Sequence, residues 1–131
     1  MALLLPLSNV MAQDRTPVLR QTIVDLAYVL GESHALRQAC HGVDDQFWRL
    51  RMIKMVDAEQ PDAALDRRLK ESFNTGFAVR QGEHVTCAMS RAPAVAAAQR
   101  GRDLAGKLAK VMNQVRPGPA AEPIVSDEPP R

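Results

Sequence analysis

The chain has 131 residues, 46% of them hydrophobic but only 4% aromatic, with 17 basic and 15 acidic residues and a net charge of +2. That is enough chain for one domain, whose core must be built from Leu, Val, Ala and Met. The charges are interspersed, with no basic block and little aromatic interleaving, which excludes a nucleic-acid-binding footprint.

The opening stretch, MALLLPLSNVMAQD, carries an apolar run followed by Val10-Met11-Ala12 before Gln13. Small residues three before and one before a cleavage point suit signal peptidase, so residues 1–12 read as the remnant of a signal peptide that lacks its basic n-region. The rival reading is an apolar start on a cytosolic protein. The run is too short to span a bilayer and no second hydrophobic segment follows.

Four helices are expected over residues 13–115, with no strand alternation. The first runs from Pro17 to His41. Pro17 suits a first helical turn, Leu19, Ile23, Leu26 and Leu30 repeat at helical spacing, and Gly42 is a C-terminal stop. Gly31 marks a kink or a close packing point. The second helix runs from Asp45 to Gln60, capped by Asp44 or Asp45 and ended by Pro61. Trp48, Met52, Met55 and Val56 form its apolar face. Phe47, Leu50 and Ile53 widen that face, which suggests more than one neighbour.

The third helix opens at Pro61-Asp62, carries Leu65, Leu69, Phe73 and Phe77, and frays near Gly76 or stops by Gly82. Asn74 and Gly76 are unfavourable inside a helix and hint at tight packing or a bend. GEHVTCAMSRAP reads as a connector, with the fourth helix starting near Ser90 and Pro93 in its first turn. Leu104, Leu108, Val111 and Met112 define the buried side of that helix, and Ala94 to Ala98 form a slim surface. Residues 116–131, with five prolines and little to bury, read as a disordered tail.

The polar residues of LGESHALRQACHG, 30–42, raise the functional question. Continuing the leucine line of the first helix one turn at a time leads to His34, Arg37 and His41. An arginine aimed at a core needs a partner, because an unpaired buried charge is very costly. Glu59, on the Trp48–Met52–Met55 face of the second helix, is the expected partner of Arg37. The bland reading of His34, Arg37 and Glu59 is a structural ion pair. The functional one is a small anion or carboxylate site built from His34, Arg37 and His41. No nucleophile and orienting acid accompany His34, and no phosphate loop, Ser elbow or His-Glu-x-x-His is present, so no catalytic residue, cofactor or metal is assigned.

Two cysteines, Cys40 and Cys87, leave two readings open. An even count in an exported chain points to one disulfide. Cys40-His41 with His84-x-x-Cys87 offers a zinc set instead, although adjacent ligands fit the usual spacing poorly.

Taken in order, Leu30-Gly31, His34, Leu36-Arg37, Cys40, Trp48-Arg49, Met52, Glu59, Arg68, Phe73-Asn74, Gly76 and Cys87 resemble the DUF2385 family of small exported alphaproteobacterial proteins, over about residues 19–112. The family has no established function. The resemblance implies a periplasmic location and a Cys40–Cys87 disulfide, and supplies no catalytic residue. Arg80 and His84 stand where the family pattern leads one to expect aromatic residues. The expectation is an all-α, four-helix domain with one disulfide. Its function is that of a non-enzymatic envelope protein acting through protein–protein contact, or alternatively of a small-ligand or anion-binding protein using His34 and Arg37. An envelope protein is the expected partner.

Overall fold

The helix starts follow from local chemistry. In a computed structural model describing residues 15–115, the Thr16 hydroxyl accepts the Leu19 N–H at 3.2 Å. Pro17 takes the first helical position of α1, Pro17–His41. Helix α1 ends at Gly42, whose φ of 88° favours glycine and whose N–H reaches the Gln38 carbonyl at 2.8 Å. Helix α2 spans Phe47–Glu59 and closes on Gln60 in the left-handed region, immediately before Pro61. Helix α3 spans Ala63–Gly82, capped by the Asp62 carboxylate, which accepts the Leu65 N–H at 2.8 Å.

Helix α4 spans Cys87–Val115 and starts three residues earlier than its sequence suggests. The Thr86 hydroxyl accepts the Met89 N–H at 3.2 Å and so caps it. Pro93 therefore lies inside the helix, not in its first turn. The ring removes the bond its N–H would make to Met89, and the helix is carried past it by the packing of Ala94 and Ala97 near Val29 and Leu36. The expected signal remnant, 1–12, and tail, 116–131, lie outside the described residues. Among those described there is no strand, and no helix is long and apolar enough to cross a membrane.

Helix α1 is the centre of the fold. Helices α3 and α4 pack along different sides of it, and α2 packs against it less extensively. Ile23, Ala27 and Leu36 on α1 are almost wholly buried, as are Val29, Gly31 and Ser33. A helix enclosed from several directions has no single apolar stripe. One core joins Leu19, Ile23, Ala27, Met52, Leu65 and Leu69, and a smaller one joins Val29, Leu36 and Ala97.

Two glycines set the α1–α3 crossing. A Cβ at Gly31 would collide with the Phe73 carbonyl, and one at Gly76 with the Tyr28 carbonyl. Each glycine thus faces the other helix's backbone, so Gly31 is a close-packing point and α3 runs through Gly76 without stopping. At the other edge the Cys40–Cys87 disulfide, with Cα atoms 4.5 Å apart, ties the last turn of α1 to the first residue of α4. Helix α2 touches α1 and, slightly, α3. Most of its broad apolar surface stays uncovered: Phe47 is 38% exposed, Leu50 55% and Ile53 54%.

Candidate functional site

The structure distributes the polar residues of α1 into three environments. Arg37 does not meet Glu59. Its Nε donates to both Asp45 carboxylate oxygens at 2.9 Å, and its guanidinium lies 4.5 Å from the centre of the Phe47 ring. Asp45 also accepts the Phe47 N–H at 3.2 Å, so one carboxylate holds Arg37 and the first N–H of α2, although the cap position itself falls to Gln46, whose side chain makes no capping bond, and not to Asp44 or Asp45 as expected. Burial works against ionisation of Asp45, but these hydrogen bonds outweigh it and lower the carboxyl below its ordinary value. Glu59 instead binds Arg15, ahead of α1, at 3.2 Å. The expected Arg37–Glu59 pair is therefore corrected. Because α1 is enclosed, Leu36 takes the buried position, and the Arg37 side chain, 36% exposed, turns toward the α1–α2 loop.

Glu32 is the residue that periodicity passed over. It is 3% exposed. It receives Arg80 of α3 through Nε at 2.7 Å and Arg100 of α4 through both terminal nitrogens at 2.7 and 3.2 Å. Burial raises the Glu32 pKa, but the Arg100 and Arg80 hydrogen bonds exceed that effect and leave it below the ordinary carboxylate value. Arg80 is thus the α3 arm of an ion cluster joining three helices. Reading α1 as enclosed on all sides would have exposed Glu32 as a buried charge in need of cations.

His34 lies apart from both groups, 5% exposed, with its ring 5.6 Å from Phe73 and 5.2 Å from Phe77. It lines a cleft of about 800 Å³ between α2 and α3. Met52, Ile53 and Val56 form the α2 wall, and Phe73 and Phe77 the α3 wall. Gln38, Gln46, Arg49 and Asn74 add polar groups, with Asp57 and Lys70 also lining it. Arg37 and His41 line a separate small cavity of about 220 Å³ beside Cys40 and Trp48. The trio His34, Arg37 and His41 is therefore not one site.

The hydrogen bonding of His34 fixes its tautomer. The Gln38 amide nitrogen stands 3.4 Å from His34 Nε2 and also faces the Val43 and Asp45 carbonyls at 3.0 and 3.1 Å. The two carbonyls take the two amide hydrogens and hold the amide nitrogen toward the ring, and because an amide nitrogen cannot accept, Nε2 presents its lone pair there and not an N–H. Burial depresses the His34 pKa, as does the positive charge of Arg49, against a smaller opposing effect of Asp45, and the ring is neutral. Its proton then sits on Nδ1, which is buried and has no partner. An orphaned buried donor costs about 1–3 kcal/mol.

The zinc alternative loses both of its thiols to the disulfide. Among the described residues no cluster of three or more His, Cys, Asp or Glu is placed to hold a metal ion.

No curated protein and no solved structure matches the chain. The model of a family described as a protein of unknown function, DUF2385, matches residues 19–112, which contain all but the first two residues of α1, the disulfide, the Glu32 cluster and the α2–α3 cleft, and the chain belongs to that family.

Proposed function

We propose that the chain is an exported, non-enzymatic binding protein whose α2–α3 cleft captures a small ligand. The observation that carries this reading is the cleft itself. It combines a volume in the range of small-molecule sites, apolar walls on two helices and a buried histidine donor without a partner. Export is supported by the disulfide. The test is a thermal-shift and NMR screen of small apolar and amphiphilic compounds against the protein and an Ile53→Trp variant, whose exposed side chain can be enlarged into the cleft. Compounds that stabilise the protein and not the variant support the reading. A screen in which no compound perturbs Met52, Phe73 or Phe77 overturns it.

A second reading, contact with an envelope protein, is favoured by the exposed Phe47 and Leu50 on α2, with the Arg51 guanidinium 4.3 Å from the Phe47 ring centre. Affinity capture with Leu50→Asp and Arg37→Ala variants tests it. A partner lost from folded variants supports contact through α2, and a partner retained by both removes α2 from the contact.

A further inference from the structure

We infer that the α2–α3 cleft takes an apolar carboxylate, an amphiphile whose anionic head sits at the His34–Arg49 end and whose hydrocarbon body lies between Met52, Ile53, Phe73 and Phe77. The inference rests on the ligand-binding reading of this cleft and gives it a chemical class.

Three observations converge on an oxyanion head. The His34 ring lines the cleft and its buried Nδ1–H has no acceptor, so a ligand atom that reaches it must offer a lone pair, as a carboxylate oxygen does, and not another N–H. Arg49 lines the same cleft, acts on the His34 ring electrostatically, and makes no ion pair among the described residues. The other cation of the cleft, Lys70, is already held by Asp66 at 2.8 Å. The acidic lining residue, Asp57, lies eight residues beyond Arg49 on α2, roughly 12 Å along the helix axis. A head group beside Arg49 is therefore well removed from the like charge of Asp57. One carboxylate can accept from both the imidazole and the guanidinium where the buried ring and the exposed arginine meet at the edge of the cleft, the arginine contact being charge-assisted.

The rest of the ligand is set by the walls. Met52 and Phe73 are buried, Val56 and Phe77 half-buried and Ile53 exposed, a gradient from a dry floor to an open mouth. A short polar acid such as acetate would leave these walls wet. A medium acyl or aryl chain would cover them, and the flexible Met52 side chain can adapt to its outline. The single unpaired cation argues for one negative charge on the head.

The test is calorimetric and NMR titration of the full chain with decanoate, decanol and acetate below micellar concentrations. Decanoate is expected to bind about tenfold or more tightly than decanol, with shift changes centred on His34, Met52, Phe73 and Phe77, and acetate is expected not to saturate. Arg49→Gln, at an exposed position, should keep the melting temperature and bring decanoate to the affinity of decanol. Equal affinities for decanoate and decanol, unchanged in Arg49→Gln, would overturn the carboxylate class while leaving ligand capture by the cleft standing. Absence of binding by both ten-carbon probes, or shift changes confined to other surfaces, would overturn the inference; if the broader compound screen is also blank, the cleft reading falls with it.

Discussion

Replacing Glu32 by Gln is the most informative single perturbation of the fold. The substitution keeps shape and one acceptor but removes the charge that Arg80 and Arg100 share. Breaking a buried ion pair from one side costs about 3–5 kcal/mol, because the partner charge is left uncompensated. The two arginines do not contribute equally. The Arg80 side chain is 21% exposed and Arg100 46%, so Arg100 can turn into solvent while Arg80 cannot. Arg80 retains a second partner, Glu83, at 3.2 Å, which softens the loss. The expected cost is therefore at the low end, about 3 kcal/mol. In urea, with a slope of about 1–3 kcal/mol per molar, the midpoint should fall by about 1–3 M at unchanged slope. Arg100→Ala, which removes the more solvated arm, should cost no more than about 1 kcal/mol. A Glu32→Gln loss below about 0.5 kcal/mol, or an Arg100→Ala loss equal to it, would refute the assignment of Glu32 as the charge on which three helices converge.

The disulfide closes a loop between residues 47 apart in sequence, and a Cys40→Ser/Cys87→Ser double variant should lose about 4 kcal/mol in urea unfolding, with reductant then having no further effect. Gly31→Ala drives a methyl into the Phe73 carbonyl, which is backbone and cannot rotate away. It should cost about 3 kcal/mol or more, whereas Gly106→Ala on α4, with open space around it, should stabilise by up to about 1 kcal/mol. Asp62 is lowered from 3.8 to about 2, chiefly by its hydrogen bond from Arg20, and Glu32 is lowered from 4.5. Folded-state pKa values below the unfolded ones mean that this stability is present above the unfolded values and lost as pH falls through the folded ones. The urea midpoint should therefore drop below about pH 4.5, and Asp62→Asn should flatten the part of that decline between 3.8 and about 2, a slope unchanged in Asp62→Asn being the contrary result.

Much of the fold was legible because it is local. The bounds of α1 follow from Pro17 and Gly42, and the start of α3 follows from the Asp62 cap. The partner of Arg37 was not legible, because a helical wheel presumes one buried side. Helix α1 is buried from several directions, so extending its leucine line aimed Arg37 at a core position that Leu36 occupies. Asp45 reaches Arg37 through the turn at Gly42, a geometry that helical periodicity does not encode. Glu32 was hidden for the same reason, and its second cation, Arg100, is 68 residues away in sequence. Phe73 and Phe77 were readable as an i, i+4 pair on one face of α3, but not as the two rings against which His34 rests. The cleft needed α2 and α3 placed side by side, and the contact between them is too slight to leave a strong sequence signal.

The disulfide joins the end of α1 to the beginning of α4, so all of α2 and α3 lies inside one covalent ring. A protease that nicks the exposed Gln60 junction would therefore divide the chain without releasing either part. The nicked protein should migrate as one species until it is reduced, and only then as two. Helix α2, the least anchored of the four, can thus be severed from α3 and still remain tethered to the rest of the molecule.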